Sequence, residues 1–284
     1  DDLVTQSEIL GILQEGQSVS TAVQGQQVEV ILAATPLYAE SGGQVSDAGS
    51  LKGEGGSARV LDVQKPIPGL ISHTVMIEAG GLGVGEMVVA EVDTPTRYEG
   101  QRAHSATHLV HAALRDTLGP HATQAEVAIE SIVNQAIRDD LDVTTRILPV
   151  DEAKSLGAMA LFGEKYGDTV RMVDIGGPWS RELCAGTHVG RSSQIGVVTI
   201  LGESSVSSTA RRIEALVGGA AVENFSVEKA LIRRLTSLLK TPREDIPARV
   251  EELVAQVKTL EKKVSQAGAA GLSAMVPSLV AQLR

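Results

Sequence analysis

The sequence predicts an α+β protein in three parts: a small β-barrel-like N-terminal unit at residues 1–95, a mixed α/β core at 96–217 and a helical tail at 218–284. Three observations support this organisation. Short β-branched runs separated by glycine-rich turns fill the first part. Helical and extended patterns are mixed in the second part. Apolar residues at heptad spacing mark the third part.

The N-terminal part contains four runs with strand-like composition. They read VEVILAA, ARVLDV, ISHTVMI and MVVAEV, and glycine-rich segments such as SLKGEGGS and AGGLGVG separate them. Valine and isoleucine favour strands, and glycine clusters favour the turns between them. Several short strands joined by such turns indicate a small antiparallel β-barrel-like unit.

Two histidines stand four residues apart on the helix predicted over RYEGQRAHSATHLVHAALRDTLG, which the Gly119–Pro120 pair ends. Residues four apart lie one turn apart on the same face, so His104 and His108 can bind a single ion. His111 falls on the same stripe, and spacing alone does not exclude it as a ligand; a role in orienting a ligand through a hydrogen bond fits it as well.

A second pair with the same spacing, Cys184 and His188, follows a Gly/Pro turn in DIGGPWSRELCAGTHVG. Together the two pairs offer three imidazoles and one thiolate, a set suited to tetrahedral Zn²⁺. Cys184 is the only cysteine, so it forms no internal disulfide. Two alternatives stay open: Cys184 as a small buried apolar residue, or as a nucleophile with His188 as its base. Metalloprotease chemistry is disfavoured, because Ser105 stands where the HExxH motif has its general-base glutamate.

The tail carries a 3-4-3-4 apolar seam formed by Val250, Leu253, Val257, Leu260 and Val264. Two heptads are few for an independent coiled coil. The pattern therefore predicts a helical hairpin, packed against the preceding helical segment VEKALIRRLTSLLK, or a short coiled-coil linker.

The composition indicates the cellular compartment in which we expect the protein. The chain has 284 residues, 43% of them hydrophobic, and contains no apolar run of the roughly 18 residues needed to span a membrane. The N-terminal DDLVTQSEIL has no basic segment before an apolar one. A single cysteine suits a reducing compartment. We therefore expect a soluble, cytoplasmic protein without a membrane partner.

Charge is distributed unevenly along the chain. The net charge is −10, but residues 211–284 carry 12 Lys+Arg against 8 Asp+Glu, whereas residues 1–210 carry 13 against 27. An acidic body with a basic end can still contact RNA phosphates locally. The candidate contacts are Arg211–Arg212, Arg233–Arg234 and Lys262–Lys263, although each pair also fits an ordinary solvated helix face.

Four segments in order resemble one known family. They are PLYAESGGQVSDAG at 36–49, HSATHLVHAALRDTLGPHATQA at 104–125, ELCAGTH at 182–188 and RRIEALVG at 211–218. Together they resemble the editing domain of alanyl-tRNA synthetases, and the similarity extends over nearly the whole chain. Threonyl-tRNA synthetase editing domains look similar around the two ligand pairs, but YAESGGQ favours the alanyl family. The resemblance implies the α+β editing-domain fold shared by these two families.

The resemblance also implies a reaction and a set of residues. The reaction is hydrolysis of serine or glycine wrongly esterified to tRNA(Ala). The implied ligands of one Zn²⁺ per chain are His104, His108, Cys184 and His188. Thr107 and Gln124 match residues of the catalytic pocket. Residues Glu40, Ser41, Gly42, Gly43 and Gln44 match the family's glycine-rich, substrate-binding segment.

Two positions depart from the family pattern. Ala185 replaces the first glycine of Cys-Gly-Gly-Thr-His, which would be mildly strained if that position required positive φ. After Ala125 the chain runs directly into EVAIESIVNQAIRDDLDV, where family members have a Gly-Ser turn and an aromatic strand. A segment is therefore either deleted or missing here, and the substrate contacts it makes in relatives are in doubt.

Nothing in the sequence resembles an ATP site, since the glycine pairs lack the GxxxxGK[ST] pattern. We therefore expect the editing region of a larger synthetase, whose aminoacylation and C-terminal domains this chain does not contain. Two alternatives remain. One is a free-standing deacylase, and the other is a noncatalytic tRNA-binding module whose zinc is structural.

Overall fold

The computed structural model describes residues 2–117, 122–160, 167–206 and 211–282, with the side chains of 122–125, 211 and 267–282 outside that description. The chain divides into two compact units, Asp1–Ala221 and Val222–Arg284.

The first unit begins with a closed antiparallel β-barrel. Its strands are β1 (Val4–Gln14), β2 (Gln17–Val19), β3 (Thr21–Val23), β4 (Gln27–Leu32), β5 (Gly49–Gly53), β6 (Gly56–Ile67), β7 (Leu70–Gly83) and β8 (Met87–Val92). The sheet runs β1-β4-β7-β6-β5-β8, and β8 pairs back with β1 over Val4↔Glu91 to Glu8↔Met87. β2 pairs with β1, and β3 pairs with β7. The predicted barrel-like unit is confirmed.

The barrel core is formed by every second side chain of the strands, which points into the barrel. Along β8 the residues Val88, Ala90 and Val92 are buried while those between them are exposed, and β4 shows the same alternation with Val28 and Val30 inside. The four predicted runs correspond to β4, β6, β7 and β8. The longest strand that the sequence did not predict is β1, which closes the barrel.

The barrel leads directly into the helix that bears the histidines. Two residues after β8, α1 (Thr94–Thr117) begins, and Oδ1 of Asp93 accepts a hydrogen bond from the amide of Thr96 at 3.0 Å. Asp93 therefore acts as the N-cap, with Pro95 in the first turn, where a missing amide hydrogen is harmless. The start of α1 is thus set by the strand that closes the barrel.

The remaining elements of this unit form a mixed layer around α1. They are α2 (Ala122–Arg138), β9 (Val143–Pro149), α3 (Val150–Ser155), β10 (Thr169–Ile175), β11 (Ser180–Leu183), β12 (Val198–Ser205) and β13 (Arg211–Val217). β9, β10 and β11 form an antiparallel sheet in the order β11-β10-β9, and β12 pairs with β13. Buried Leu109 and Ala113 of α1 belong to one apolar cluster with Ile129 and Val133 of α2. This cluster holds α1 in place beside β11.

The second unit contains α4 (Gly219–Leu239), whose first residues belong to the preceding unit, and α5 (Ile246–Gln282). Four of the five predicted seam residues are exposed, from 44% at Val250 to 72% at Val264, and Leu253 is half-buried. The seam is therefore not buried within this unit. Among the described residues, none of the helices is both long and apolar enough to cross a membrane.

Candidate metal centre

The fold brings the two predicted ligand pairs together. The potential ligand atoms of His104, His108, Cys184 and His188 all lie within 4.8 Å of one another. His104 and His108 come from successive turns of α1, whereas Cys184 and His188 flank the tight turn after β11. Cys184 Sγ lies 3.1 Å from His104 Nε2. Residues eighty positions apart in the sequence thus form one cluster of three imidazoles and a thiol.

Each imidazole of the cluster is oriented by a hydrogen bond at its other nitrogen. Nδ1 of His104 lies 2.7 Å from Oε1 of Gln44, and Nδ1 of His108 lies 2.8 Å from Oε2 of Glu182. Nδ1 of His188 lies 3.2 Å from Oγ of Ser105. These contacts direct the Nε2 atoms toward the centre of the cluster, which is the arrangement that metal-binding histidines adopt.

Two of these Nε2 atoms are buried without any partner in the described part of the chain, those of His108 and His188. A buried polar nitrogen without a hydrogen bond is costly and rare in a folded protein. A cation bound between the nitrogens would satisfy both. The donor set therefore fits a metal ion.

The electrostatics of the cluster favour a thiolate. Burial opposes ionisation of Cys184, but the imidazoles of His104, His108 and His188 around its sulfur hold the pKa of the thiol down to about 3. Burial also disfavours a charged His108, yet the neighbouring Cys184 sulfur and the hydrogen bond to Glu182 raise the pKa of its imidazole to about 9. Burial lowers the pKa of His188 to about 4. Thiolate and neutral imidazole are the forms that bind metal, so a bound cation would displace the proton that His108 otherwise carries at neutral pH.

Glu182 anchors the cluster through His108 and, like His111, also lines the cavity described below. Its carboxylate is buried and accepts hydrogen bonds from Nδ1 of His108 (2.8 Å), Nδ1 of His111 (2.9 Å) and Nη1 of Arg115 (3.2 Å). His111 therefore lies outside the four-residue cluster and contacts Glu182. Hydrogen bonds from His108 and His111 hold the pKa of Glu182 well below its usual range despite burial. Sequence reasoning missed Glu182, because a glutamate two residues before a cysteine has no diagnostic spacing.

Gln44 links the barrel to the cluster. Besides receiving the His104 hydrogen bond, its Oε1 accepts from the amide of Thr187 at 2.9 Å, while its Nε2 donates to the hydroxyl of Thr187 at 2.7 Å. The segment carrying Gln44 is fixed to α1 by a buried ion pair between Asp47 and Arg97. Arg97 precedes His104 by two helical turns, so this pair sets the position of Gln44 behind the histidine.

Gly186 provides the space that these contacts need. A β-carbon built there would lie 2.1 Å from Cε1 and 2.4 Å from Nδ1 of His104, far inside van der Waals contact. Ala185, which departs from the family pattern, is not among the described residues with positive φ. Position 186 is thus the one in this turn that requires glycine, and alanine at 185 causes no backbone strain.

A cavity of about 400 Å³ opens beside the cluster. His104, His108 and Cys184 line it together with the apolar residues Val110, Leu114, Leu183 and Ile213. Of the predicted pocket residues, Thr107, Ser41 and Gly42 line this cavity, whereas Gly43 and Gln44 line a smaller one next to it. Glu40 lines neither, and its carboxylate accepts a hydrogen bond from Gln64. The side chain of Gln124 lies outside the described residues.

Comparison with known proteins assigns families to two segments. The class II (A) tRNA synthetase family matches residues 1–96, and the family of the threonyl and alanyl tRNA synthetase second additional domain matches residues 170–214. The second match contains β10, β11 and the turn with Cys184 and His188.

Similar curated proteins include three alanine–tRNA ligases. Those of Clavibacter michiganensis subsp. michiganensis (strain NCPPB 382) and Clavibacter sepedonicus are 53% identical over 305 residues, and that of Cutibacterium acnes is 44% identical over 303. Each alignment covers 99% of this chain and 34% of the relative. The chain thus spans about a third of the length of these relatives. The alignments are also longer than the 284 residues of the chain, so the relatives carry positions without a counterpart here.

Proposed function

The chain belongs to the alanine–tRNA ligase family, and from that premise we propose that it hydrolyses serine or glycine wrongly esterified to tRNA(Ala). The observation that carries this proposal is the convergence of His104, His108, Cys184 and His188 in one cluster, three members of which, His104, His108 and Cys184, line one cavity. The name of the relatives describes the ligation of alanine to tRNA. We propose that this chain provides the proofreading step of such a ligase, with tRNA(Ala) as its partner.

A proofreading step is needed because an apolar pocket distinguishes poorly between amino acids of similar size. A site that selects alanine excludes serine poorly, because a pocket of that size cannot strongly reject one added hydroxyl, and it excludes the smaller glycine poorly as well. A second, hydrolytic site can remove the errors if it favours the wrong amino acid. Such a site needs a polar group that rewards the serine hydroxyl.

Thr107 is the residue we propose for this recognition. Its side chain is exposed on the cavity wall, between the two ligand histidines in sequence. The Thr107 hydroxyl donates its proton to the carbonyl of Ala103 at 3.0 Å. The lone pairs of the oxygen therefore remain available to accept a hydrogen bond from a serine hydroxyl. Alanine offers no such donor, so it gains nothing from this contact.

One Zn²⁺ per chain is the metal that the ligand set supports best, since a thiolate with three neutral imidazoles suits tetrahedral zinc. Bound there, it would supply Lewis acidity toward an ester carbonyl and lower the pKa of a bound water. Glu182 and Gln44 fix the imidazole rings from behind. The apolar wall of Val110, Leu114 and Ile213 shields the ester from bulk water. By resemblance to the family, Gln124 orients the substrate or the attacking water.

A noncatalytic tRNA-binding module is the second candidate. It is favoured by the number of protein ligands, because four ligands complete a tetrahedral zinc site and leave no position for water. In that case the metal only shapes the cavity, and the ester is not cleaved.

The deciding experiment combines metal analysis with a hydrolysis assay. The purified chain is measured for bound zinc and then incubated with serine-charged tRNA(Ala), with alanine-charged tRNA(Ala) as the matched control. We expect about one zinc per chain and preferential loss of serine. Zinc without hydrolysis would favour the structural module, and hydrolysis by zinc-free protein would overturn the role of the cluster.

A further inference from the structure

A second cleft, polar and of about 360 Å³, lies on the other side of the turn that carries Cys184. Tyr38, Ala185 and Gly186 line both this cleft and the cavity beside the cluster. The remaining lining residues are Asp2, Thr5, Thr35, Pro36, Arg97, Arg171 and Thr187. The two spaces are therefore adjacent, with the Ala185–Gly186 turn and the Tyr38 ring between them.

Arg171 is the unusual residue of this cleft. It projects from β10 and is half-buried, and its Nη1 donates to the carbonyls of Cys184 (3.1 Å) and Gly186 (2.6 Å). No carboxylate among the described residues forms an ion pair with it, although Arg97, Arg115 and Arg181 nearby are each paired. Its Nε and Nη2 groups donate to no acceptor within the described ranges. Two carbonyl dipoles thus position the guanidinium, and the negative charge that acts on it is the Cys184 thiolate, which a metal bound at the cluster would neutralise.

We propose that Arg171 binds a phosphate of the terminal nucleotide whose ester occupies the neighbouring cavity. This inference rests on the proposed function. An amino acid held at the cluster is attached to a ribose, and the phosphate of that nucleotide must leave the cavity within the length of one nucleotide. Arg171 contacts the carbonyl of Cys184 itself, so it lies within that reach. Its unused N–H groups form the planar fork that matches phosphate oxygens.

The charge of the surroundings makes this cation important. Residues 1–210 carry 27 acidic against 13 basic side chains, so the body of the protein repels RNA on average. A partly desolvated, unpaired cation attracts an anion more strongly than an exposed one does, because the local dielectric is lower. Asp2 is the only carboxylate among the described lining residues. The hydroxyls of Thr5 and Thr35 add neutral donors.

The test uses a double-mutant cycle between protein and RNA. An RNA hairpin that mimics the tRNA acceptor end is made with either a normal phosphodiester or an uncharged methylphosphonate before its terminal nucleotide. Binding to the zinc-loaded chain is compared for the wild type, for Arg171→Gln, and for the control Arg138→Gln, which removes an exposed cation from α2. We expect the methylphosphonate to weaken wild-type and Arg138→Gln binding about tenfold, as for loss of a charge-assisted hydrogen bond. Binding of Arg171→Gln should respond less than twofold. Equal responses of Arg171→Gln and the wild type would overturn the proposal.

Arg171 also supports the turn of the cluster, so zinc content is measured for every variant. If Arg171→Gln loses zinc, a second experiment with the wild type alone tests the phosphate contact. In it the methylphosphonate is placed, one position at a time, at each of the last four linkages of the RNA. The proposal requires the largest loss at the linkage before the terminal nucleotide, and a uniform loss overturns it. The RNA used for binding carries no amino acid ester. A protein whose RNA binding depends on this phosphate but which does not hydrolyse serine-charged tRNA(Ala) would therefore disprove only the deacylase function. Hydrolysis without phosphate sensitivity would disprove only the role of Arg171.

Discussion

Gln44 lies directly behind His104, with its Oε1 2.7 Å from Nδ1 of the imidazole. The same amide holds the backbone and the hydroxyl of Thr187. A residue of the barrel unit thus fixes one candidate ligand from α1 and the turn that carries Cys184 and His188. The resemblance to the family assigned Gln44 to substrate binding, whereas its buried contacts support a positioning role.

Replacing Gln44 should therefore weaken metal binding. We expect Gln44→Ala to lower zinc affinity about 10- to 100-fold, as loss of the partner that orients a ligating histidine does. The measurement is a competition titration against a chromophoric chelator. The matched control is Gln26→Ala, which removes an amide that accepts from Val23 at 2.8 Å, remote from the cluster. An unchanged zinc affinity accompanied by a raised KM would return Gln44 to substrate binding.

The turn offers a paired test of the two small residues, 185 and 186. Gly186→Ala should displace His104 and abolish zinc binding, because its β-carbon would lie 2.1 Å from the ring. Ala185→Gly should leave zinc binding and thermal stability nearly unchanged, since residue 185 does not adopt positive φ. Zinc content and the unfolding midpoint are measured for both variants. Full zinc occupancy in Gly186→Ala would show that the turn can move away from the helix.

Thr107 should control the choice of amino acid rather than the metal. We expect Thr107→Val to reduce kcat/KM for serine-charged tRNA(Ala) about 2- to 10-fold, the effect of one lost neutral hydrogen bond. Zinc content and hydrolysis of glycine-charged tRNA should change little, because glycine has no hydroxyl to recognise. Thr107→Ser should restore much of the serine activity. Equal losses for serine and glycine substrates would contradict this role.

His73 should make the barrel sensitive to acid. Its buried ring donates from Nδ1 to the carbonyl of Val30 and accepts at Nε2 from the hydroxyl of Thr35, both at 2.9 Å. Burial lowers the pKa of His73, so the folded state binds the proton less readily than the unfolded state does. The stability contributed by neutral His73 is present above about pH 6.5 and is lost as the pH falls below it, by at most about 1.4 kcal/mol per pH unit.

The check is the free energy of unfolding between pH 7.5 and 5.5. His73→Gln should be less stable at neutral pH but should show a flatter pH dependence than the wild type. The other histidines are present in both proteins, so their contributions cancel in the comparison. Parallel curves for the two proteins would mean that His73 is protonated as easily in the folded state as in the unfolded one.

The sequence predicted the features that depend on local periodicity. The i, i+4 spacing of His104 and His108 requires only a helix, and the alternating valines of β8 require only a strand. β1 was missed because its pattern is irregular. Buried Ser7 stands at an inward position, where its hydroxyl accepts from the amide of Ala34 at 2.9 Å, and the pairing with β4 shifts register between Ile9 and Gly11. Tertiary contacts therefore decide this strand more than its own composition does.

The supporting roles of Glu182 and Gln44 could not be predicted for a similar reason. Glu182 and Gln44 act on the cluster through contacts that span 74 and 60 residues of sequence. A single glutamate or glutamine has no spacing that indicates such a role. The tail shows the converse case, in which a regular sequence pattern did not predict burial. Its apolar seam from Val250 to Val264 follows heptad spacing, yet most of its residues are exposed within the second unit.

The closure of the barrel makes the N-terminal segment indispensable to the four-residue cluster, although this segment contributes none of its four side chains. β1 pairs with β8, and β8 ends two residues before α1 begins. A shortened protein starting at β2 would leave β8 with one unpaired edge and expose the apolar interior next to the first turn of α1. Truncations designed from the metal-ligand motifs alone, which all lie beyond residue 100, would therefore retain every ligand and lose the anchoring of the helix that presents two of them. Any minimal version of this site has to begin before Val4.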